Sequence, residues 1–163
     1  MKYATRMSRL GTETAFEVMA RAQALEKQGR KIIHLQIGEP DFDTPEFIRE
    51  AAVDAIRGGW THSGPSAGLR DVREVIANEV AKTRNIPVDP TEVVVVPGGK
   101  PIMFFAMMAL LDEGDEAIYP NPGFPIYESM INFLGAKAVA LPLLEKNDFA
   151  FDLDELERQI TPK

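Results

Sequence analysis

Three clusters in this 163-residue chain carry residue types and spacings that can do chemistry. The first is Val93-Val94-Val95-Val96-Pro97-Gly98-Gly99-Lys100-Pro101, a β-branched run leading into two glycines, a lysine and a proline. Gly98 and Gly99 let the backbone turn tightly and approach a ligand closely. Pro101 fits the first turn of a helix, where its missing N–H costs nothing. A strand–glycine–helix junction offers free N–H groups and the positive end of a helix dipole, which suits a phosphate. The Lys100 ammonium adds a point charge at the same place. A tight βα turn without a ligand, and a solvated lysine at a helix start, fit these residues equally well. The second cluster is Pro120-Asn121-Pro122-Gly123-Phe124-Pro125-Ile126-Tyr127, directly after the short apolar run Ala117-Ile118-Tyr119. The third is Ile37-Gly38-Glu39-Pro40-Asp41-Phe42-Asp43-Thr44-Pro45. Asp41 and Asp43 read as turn and capping residues and lack the regular spacing of a calcium loop.

Residues of this kind act only when secondary structure holds them in place. Four consecutive valines fit a strand covered on both faces, as in a parallel sheet flanked by helices. The segment Ile102 to Leu111 is apolar almost all round and is expected to be a buried helix. Further back, Thr14 to Gly29 reads as a helix with Phe16, Met19, Ala20 and Ala24 on one face and Gly29 as its stop. Ile32 to Ile37 is strand or extended. A helix is expected from Thr44-Pro45 to about Arg57, capped by Thr44 and ended by Gly58-Gly59. Trp60 to Gly68 is a loop, after which Leu69, Val72, Val75, Ile76 and Val80 mark an amphipathic helix. Strand 93–96, helix 100–111, strand 116–119, helix 123–134 and strand 137–141 then alternate, and Asp152 opens a last helix over 153–160. That alternation means α/β with parallel strands. Only three strands are supplied, so a sheet built from them alone leaves an unpaired edge and exposed valines. The expectation is therefore a fragment, or a chain always paired with further sequence.

Composition narrows the function classes. Apolar residues make up 45% and charged residues 26%, as in a globular protein. A net charge of −7 with no basic run argues against nucleic acid or an anionic membrane as partner. The absence of cysteine excludes disulfides and thiolate chemistry. No secretory signal and no membrane-spanning apolar stretch are visible, so the expected location is cytoplasmic. His34 and His62 are the only histidines, and with no second ligand beside them a metal site is unsupported.

Taken together, the motifs resemble the fold-type I pyridoxal-phosphate-dependent aminotransferases of class I/II, near the aspartate and aromatic enzymes. The resemblance runs from the Ile37–Pro45 block through Pro65-Ser66-Ala67-Gly68-Leu69-Arg70 and Gly98-Gly99. It continues through Ala109-Leu110-Leu111-Asp112-Glu113-Gly114-Asp115-Glu116, the proline cluster and Leu156-Glu157-Arg158-Gln159-Ile160-Thr161-Pro162-Lys163. It implies the N-terminal part of that fold, with helices flanking a mostly parallel sheet that is incomplete in this chain. Residues 1–13 would be an N-terminal arm, 14–60 part of the small domain and its connection, and 61–163 the first part of the cofactor-binding large domain. By the same resemblance the Schiff-base lysine, the aspartate that pairs with the pyridine nitrogen, the asparagine at the ring oxygen and the carboxylate-binding arginine all lie past Lys163.

What the resemblance implies for single residues is specific. Gly98, Gly99 and Lys100 would hold the phosphate of pyridoxal phosphate, although the family usually has a hydroxyl or small residue where Lys100 stands. A bolder alternative makes Lys100 itself the Schiff-base lysine. Phe124 matches the aromatic residue that stacks on the pyridine ring; the competing reading is a core phenylalanine, and Tyr127 reads as a structural residue that packs or hydrogen-bonds. Gly38 matches the glycine whose backbone approaches the substrate carboxylate, and equally reads as a plain turn glycine. Ser63 stands where relatives often place a tyrosine that reaches the partner subunit's phosphate site, so Trp60 or His62 substitutes or the contact is lost. The implied parent activity is transfer of an amino group between an amino acid and a 2-oxo acid by a homodimer, with the 163 residues inactive alone. The rivals are a carbon–sulfur lyase or another fold-type I enzyme, and a non-catalytic interaction fragment.

Overall fold

In the computed structural model, residues 2–11 and 14–163 are described. Contacts group the chain into two compact units, one formed by Met1–Ile37 with Gly98–Lys163 and the other by Gly38–Pro97.

The first unit contains α1 (Thr14–Glu26), and the second contains α2 (Glu46–Arg57) and α3 (Arg70–Arg84). The first unit then resumes with α4 (Lys100–Leu110), β1 (Glu116–Asn121), α5 (Ile126–Leu134), β2 (Lys137–Pro142) and α6 (Leu153–Gln159). β1 and β2 pair in parallel from Glu116↔Lys137 to Asn121↔Pro142, joined through α5 in a βαβ crossover. Met130 and Ile131 of α5, Ala136 just before β2 and Leu141 of β2 are buried there. α5 stops because Gly135 takes φ +89°, which puts the Ala136 N–H on the Ile131 carbonyl. Lys137 Nζ meets Glu116 Oε1 at 2.7 Å across the first register pair, and Thr161 Oγ1 donates to Glu116 Oε2 at 2.7 Å. Asp152 caps α6 by accepting the Glu155 N–H, and Gln159 Nε2 donates to the Ala140 carbonyl, which ties α6 to β2.

In the second unit α2 ends at Gly58, with Gly59 at φ +81°. α3 ends at Asn85 in the left-handed region, which returns the Ile86 N–H to the Ala81 carbonyl. Asp89 and Glu92 form a capping box on the 3₁₀ turn Pro90–Glu92.

The structure departs from the sequence expectations at four places. Val93–Val96 is extended but is not a strand, so the sheet among the described residues has two strands rather than three. Valine favours an extended backbone, but a strand needs a neighbour that exchanges N–H···O=C bonds, and the Val95 N–H goes instead to the Ala67 carbonyl of a loop. Second, α4 is not buried: Ile102, Phe105, Met108 and Leu110 are each more than half exposed, since among the described residues α4 packs chiefly on α5. Third, Thr44 does not cap α2. Pro45 is the N-cap residue, without a side-chain cap, and Thr44 stands one position too early. Fourth, α5 begins at Ile126 rather than 123, because Gly123–Pro125 form the turn that precedes it. Among the described residues no helix is long and apolar enough to cross a membrane.

Candidate functional site

The turn before α4 is built for close approach. Gly98 holds φ +87°, a conformation that side chains disfavour, and Gly99 is the helix N-cap at φ −79°, ψ −31°. A Cβ added at either glycine would meet nothing within 4 Å, so the backbone here faces open space. The N-cap residue of α4 is a glycine, which supplies no side-chain cap, and Pro101 occupies the first turn. Lys100 opens the helix, with its Nζ 5.7 Å from the centroid of the Phe16 ring on α1. That cation–π contact joins residues 84 positions apart, and no local pattern in the sequence announces it. An open glycine turn, a helix N-terminus and an adjacent ammonium form a donor set that fits a phosphate monoester.

Phe124 is set by the turn between β1 and α5. Gly123 is confined there, because any Cβ would run into the Pro120 carbonyl oxygen. The Asn121–Pro122 bond is cis, and the Phe124 carbonyl accepts the Tyr127 N–H at 3.0 Å. The Phe124 ring meets the Tyr127 ring edge-on, with centroids 6.1 Å apart and planes at 88°. It stays 38% exposed, so part of its surface is open to a planar ligand. Nearby on β1, burial first, and then the Glu128 carboxylate, push the Tyr119 phenol above its ordinary value.

Gly98, Gly99, Lys100 and Phe124 thus belong to one unit, at the leading ends of two helices that pack on each other. Gly38 and Ser63 belong to the other unit. Gly38 has open space where a Cβ would stand, and Ser63 is exposed in its loop beside Trp60 and His62. Two structural roles escaped the sequence reading. Gly68, at φ +97°, brings its backbone so close to Val95 that a Cβ would lie 2.9 Å from the Val95 side chain. The arm at Thr5–Arg9 docks on α5, where Arg9 donates to the Asn132 and Phe133 carbonyls at 3.1 and 3.3 Å. The positive charge at that helix C-terminus also favours its dipole. Among the described residues no three His, Asp or Glu side chains cluster as a metal site would need.

Comparison with known proteins bears on this arrangement. Residues 30–163 match the family described as Aminotransferase class I and II. A protein of Aquifex aeolicus named probable aspartate/prephenate aminotransferase is 38% identical over 160 residues, which is 98% of this chain and 41% of that protein. The aspartate aminotransferase of Bacillus subtilis is 36% identical over 163 residues, covering all of this chain and 42% of its own length. Among solved structures, aspartate aminotransferase from Thermus thermophilus with maleate superposes at a TM-score of 0.91 with 35% identity, covering 99% of this chain and 42% of that one. Alanine aminotransferase from Pyrococcus furiosus gives 0.90 with 32% identity, over 98% and 41%. The chain spans about two-fifths of the length of these relatives.

Proposed function

This chain belongs to the class I and II aminotransferase family, and from that membership we propose that the whole protein moves an amino group between an amino acid and a 2-oxo acid with pyridoxal phosphate as cofactor. When bound, pyridoxal phosphate supplies an electron sink for the carbanion that forms at the amino acid's α-carbon. The residues of this chain bind and orient. The N–H groups at Gly98, Gly99 and Lys100, with the Lys100 ammonium, would hold the phosphate. Phe124 would cover the pyridine ring and keep water from it. Gly38 lets the backbone come near the substrate carboxylate, as its open surroundings allow. The open turn at Gly98–Gly99, with no side-chain cap on α4, carries this reading.

The finer points belong to the same proposal. The whole protein is a cytoplasmic homodimer, and the loop around Ser63 reaches the partner subunit's site, a reading supported by the exposed Trp60 beside it. The 163 residues alone are inactive, because the acid–base groups the family uses are not among them. To test the activity, the whole protein is incubated with pyridoxal phosphate, a ¹⁵N-labelled amino acid and a 2-oxo acid. Label in the new amino acid at many turnovers per site supports transamination. Release of ammonia and pyruvate instead would replace it with a lyase.

A further inference from the structure

Phe124 stands on a backbone that its neighbours already fix. Gly123 before it is pressed against the Pro120 carbonyl oxygen, and the Phe124 carbonyl accepts the Tyr127 N–H at 3.0 Å. Pro125 after it disfavours helical values at Phe124. None of these ties sets the plane of the ring. The last side-chain torsion of phenylalanine is broad and two-fold, so the ring turns until a neighbour stops it. Tyr127 is such a neighbour: the two ring centroids lie 6.1 Å apart with their planes at 88°. The quadrupoles of two aromatic rings favour this perpendicular arrangement. The partners are not equally free. Tyr127 is partly buried in the first turn of α5, a helix anchored by the buried Met130 and Ile131, whereas Phe124 lies 38% exposed in the turn before it. The anchored ring therefore orients the exposed one.

We propose that Tyr127 is a positioning residue for the cofactor: its ring fixes the plane in which Phe124 offers its open surface to a planar ligand. This inference rests on the assignment of Phe124 to the pyridine ring of pyridoxal phosphate. It gives Tyr127 a role through its ring and none through its hydroxyl. A residue that merely stabilised α5 would lower the stability of the protein without changing how a bound ring is held. One that acts through Phe124 changes the affinity and optical activity of that bound ring, and does so only while Phe124 is present.

The test titrates the whole protein with pyridoxal phosphate and follows the absorbance and induced circular dichroism of the bound cofactor, with thermal midpoints measured alongside. Tyr127→Leu keeps an apolar side chain but no ring. It should weaken the cofactor roughly threefold, within the range for one aromatic pair, and reduce the induced signal. Tyr127→Phe retains the ring and should stay within about twofold of wild type by both readouts. Phe124→Ala should weaken the cofactor by up to about tenfold. Adding Tyr127→Leu to it should bring no further loss, because the two rings act in series. Tyr127→Met, flexible and without a ring, replaces the leucine variant if that one does not fold. Losses that add in the double variant, or a lowered midpoint with unchanged affinity and circular dichroism, would overturn the role of Tyr127. So would a Tyr127→Phe variant as impaired as Tyr127→Leu. If Phe124→Ala alone changed neither affinity nor spectrum, the assignment of Phe124 to the pyridine ring would fall instead.

Discussion

Gly98 and Gly68 both hold a positive φ, +87° and +97°, yet their surroundings are opposite. Around Gly98 a Cβ would meet nothing within 4 Å, while at Gly68 it would lie 2.9 Å from two carbons of Val95. Gly123 belongs with Gly68, since its Cβ would strike a backbone oxygen. Both kinds of glycine sit in the family's motifs, and from residue type alone they look the same. One kind makes room for the chain's own atoms. Gly98 is open in the way that the helix stops Gly29 and Gly59 are, and what sets it apart is the α4 start that follows it directly.

Substitution should separate the two kinds. The largest stability losses are expected at the closed positions. Gly123→Ala must displace the Pro120 carbonyl and Gly68→Ala must displace Val95, each at a cost of about 1–3 kcal/mol, read as a lower denaturation midpoint. Gly98→Ala carries only the left-handed strain, about 1 kcal/mol, while pyridoxal phosphate affinity falls clearly. If Gly98→Ala destabilised the fold as much as Gly123→Ala and left the cofactor untouched, the distinction would collapse.

Phe124→Ala sharpens the contrast further. It removes an exposed ring that touches Tyr127 by its edge, so cofactor retention should suffer more than stability. The lost stacking is worth roughly 0.5–1.5 kcal/mol beyond the apolar area, with a change in the bound cofactor's absorbance. An unchanged spectrum and affinity would make Phe124 a packing residue only.

The smallest effect concerns pH and lies away from the open turn. Hydrogen bonds from Lys137 first, and then Thr161, hold the Glu116 carboxyl below its ordinary value. A carboxyl depressed by folding adds stability above its unfolded pKa, and that stability is lost as pH falls through the folded value. Glu116→Gln should therefore flatten the acid side of the stability–pH curve and change little at neutral pH. An unaltered acid limb would mean that the tie across β1, β2 and Thr161 contributes nothing measurable.

Local signals in the sequence located most elements. Gly29, Gly59 and Asp152 acted as the stop and cap residues their types imply, and the 3.6-residue spacing of α3 found its helix. Signals that depend on a neighbour were not legible. The valine run stated a preference for extension but not which chain would pair with it. The apolar faces of α4 stated a wish for cover, and among the described residues α5 provides most of what they have. Gly98, Gly99 and Phe124 stood out by motif, whereas the openness of their surroundings could be seen only in three dimensions. Neither the Phe16–Lys100 contact nor the Arg73–Val93 bond leaves a periodic trace, because each joins residues far apart in sequence.

The most direct test of the central claim follows the backbone amides of Gly98, Gly99 and Lys100 by NMR in the whole protein, labelled with ¹⁵N and titrated with pyridoxal phosphate. The account predicts that these three amides move downfield and become the most strongly protected against exchange, while that of Gly68 stays where it was. Saturated cofactor binding with the Gly98, Gly99 and Lys100 amides unmoved would contradict it.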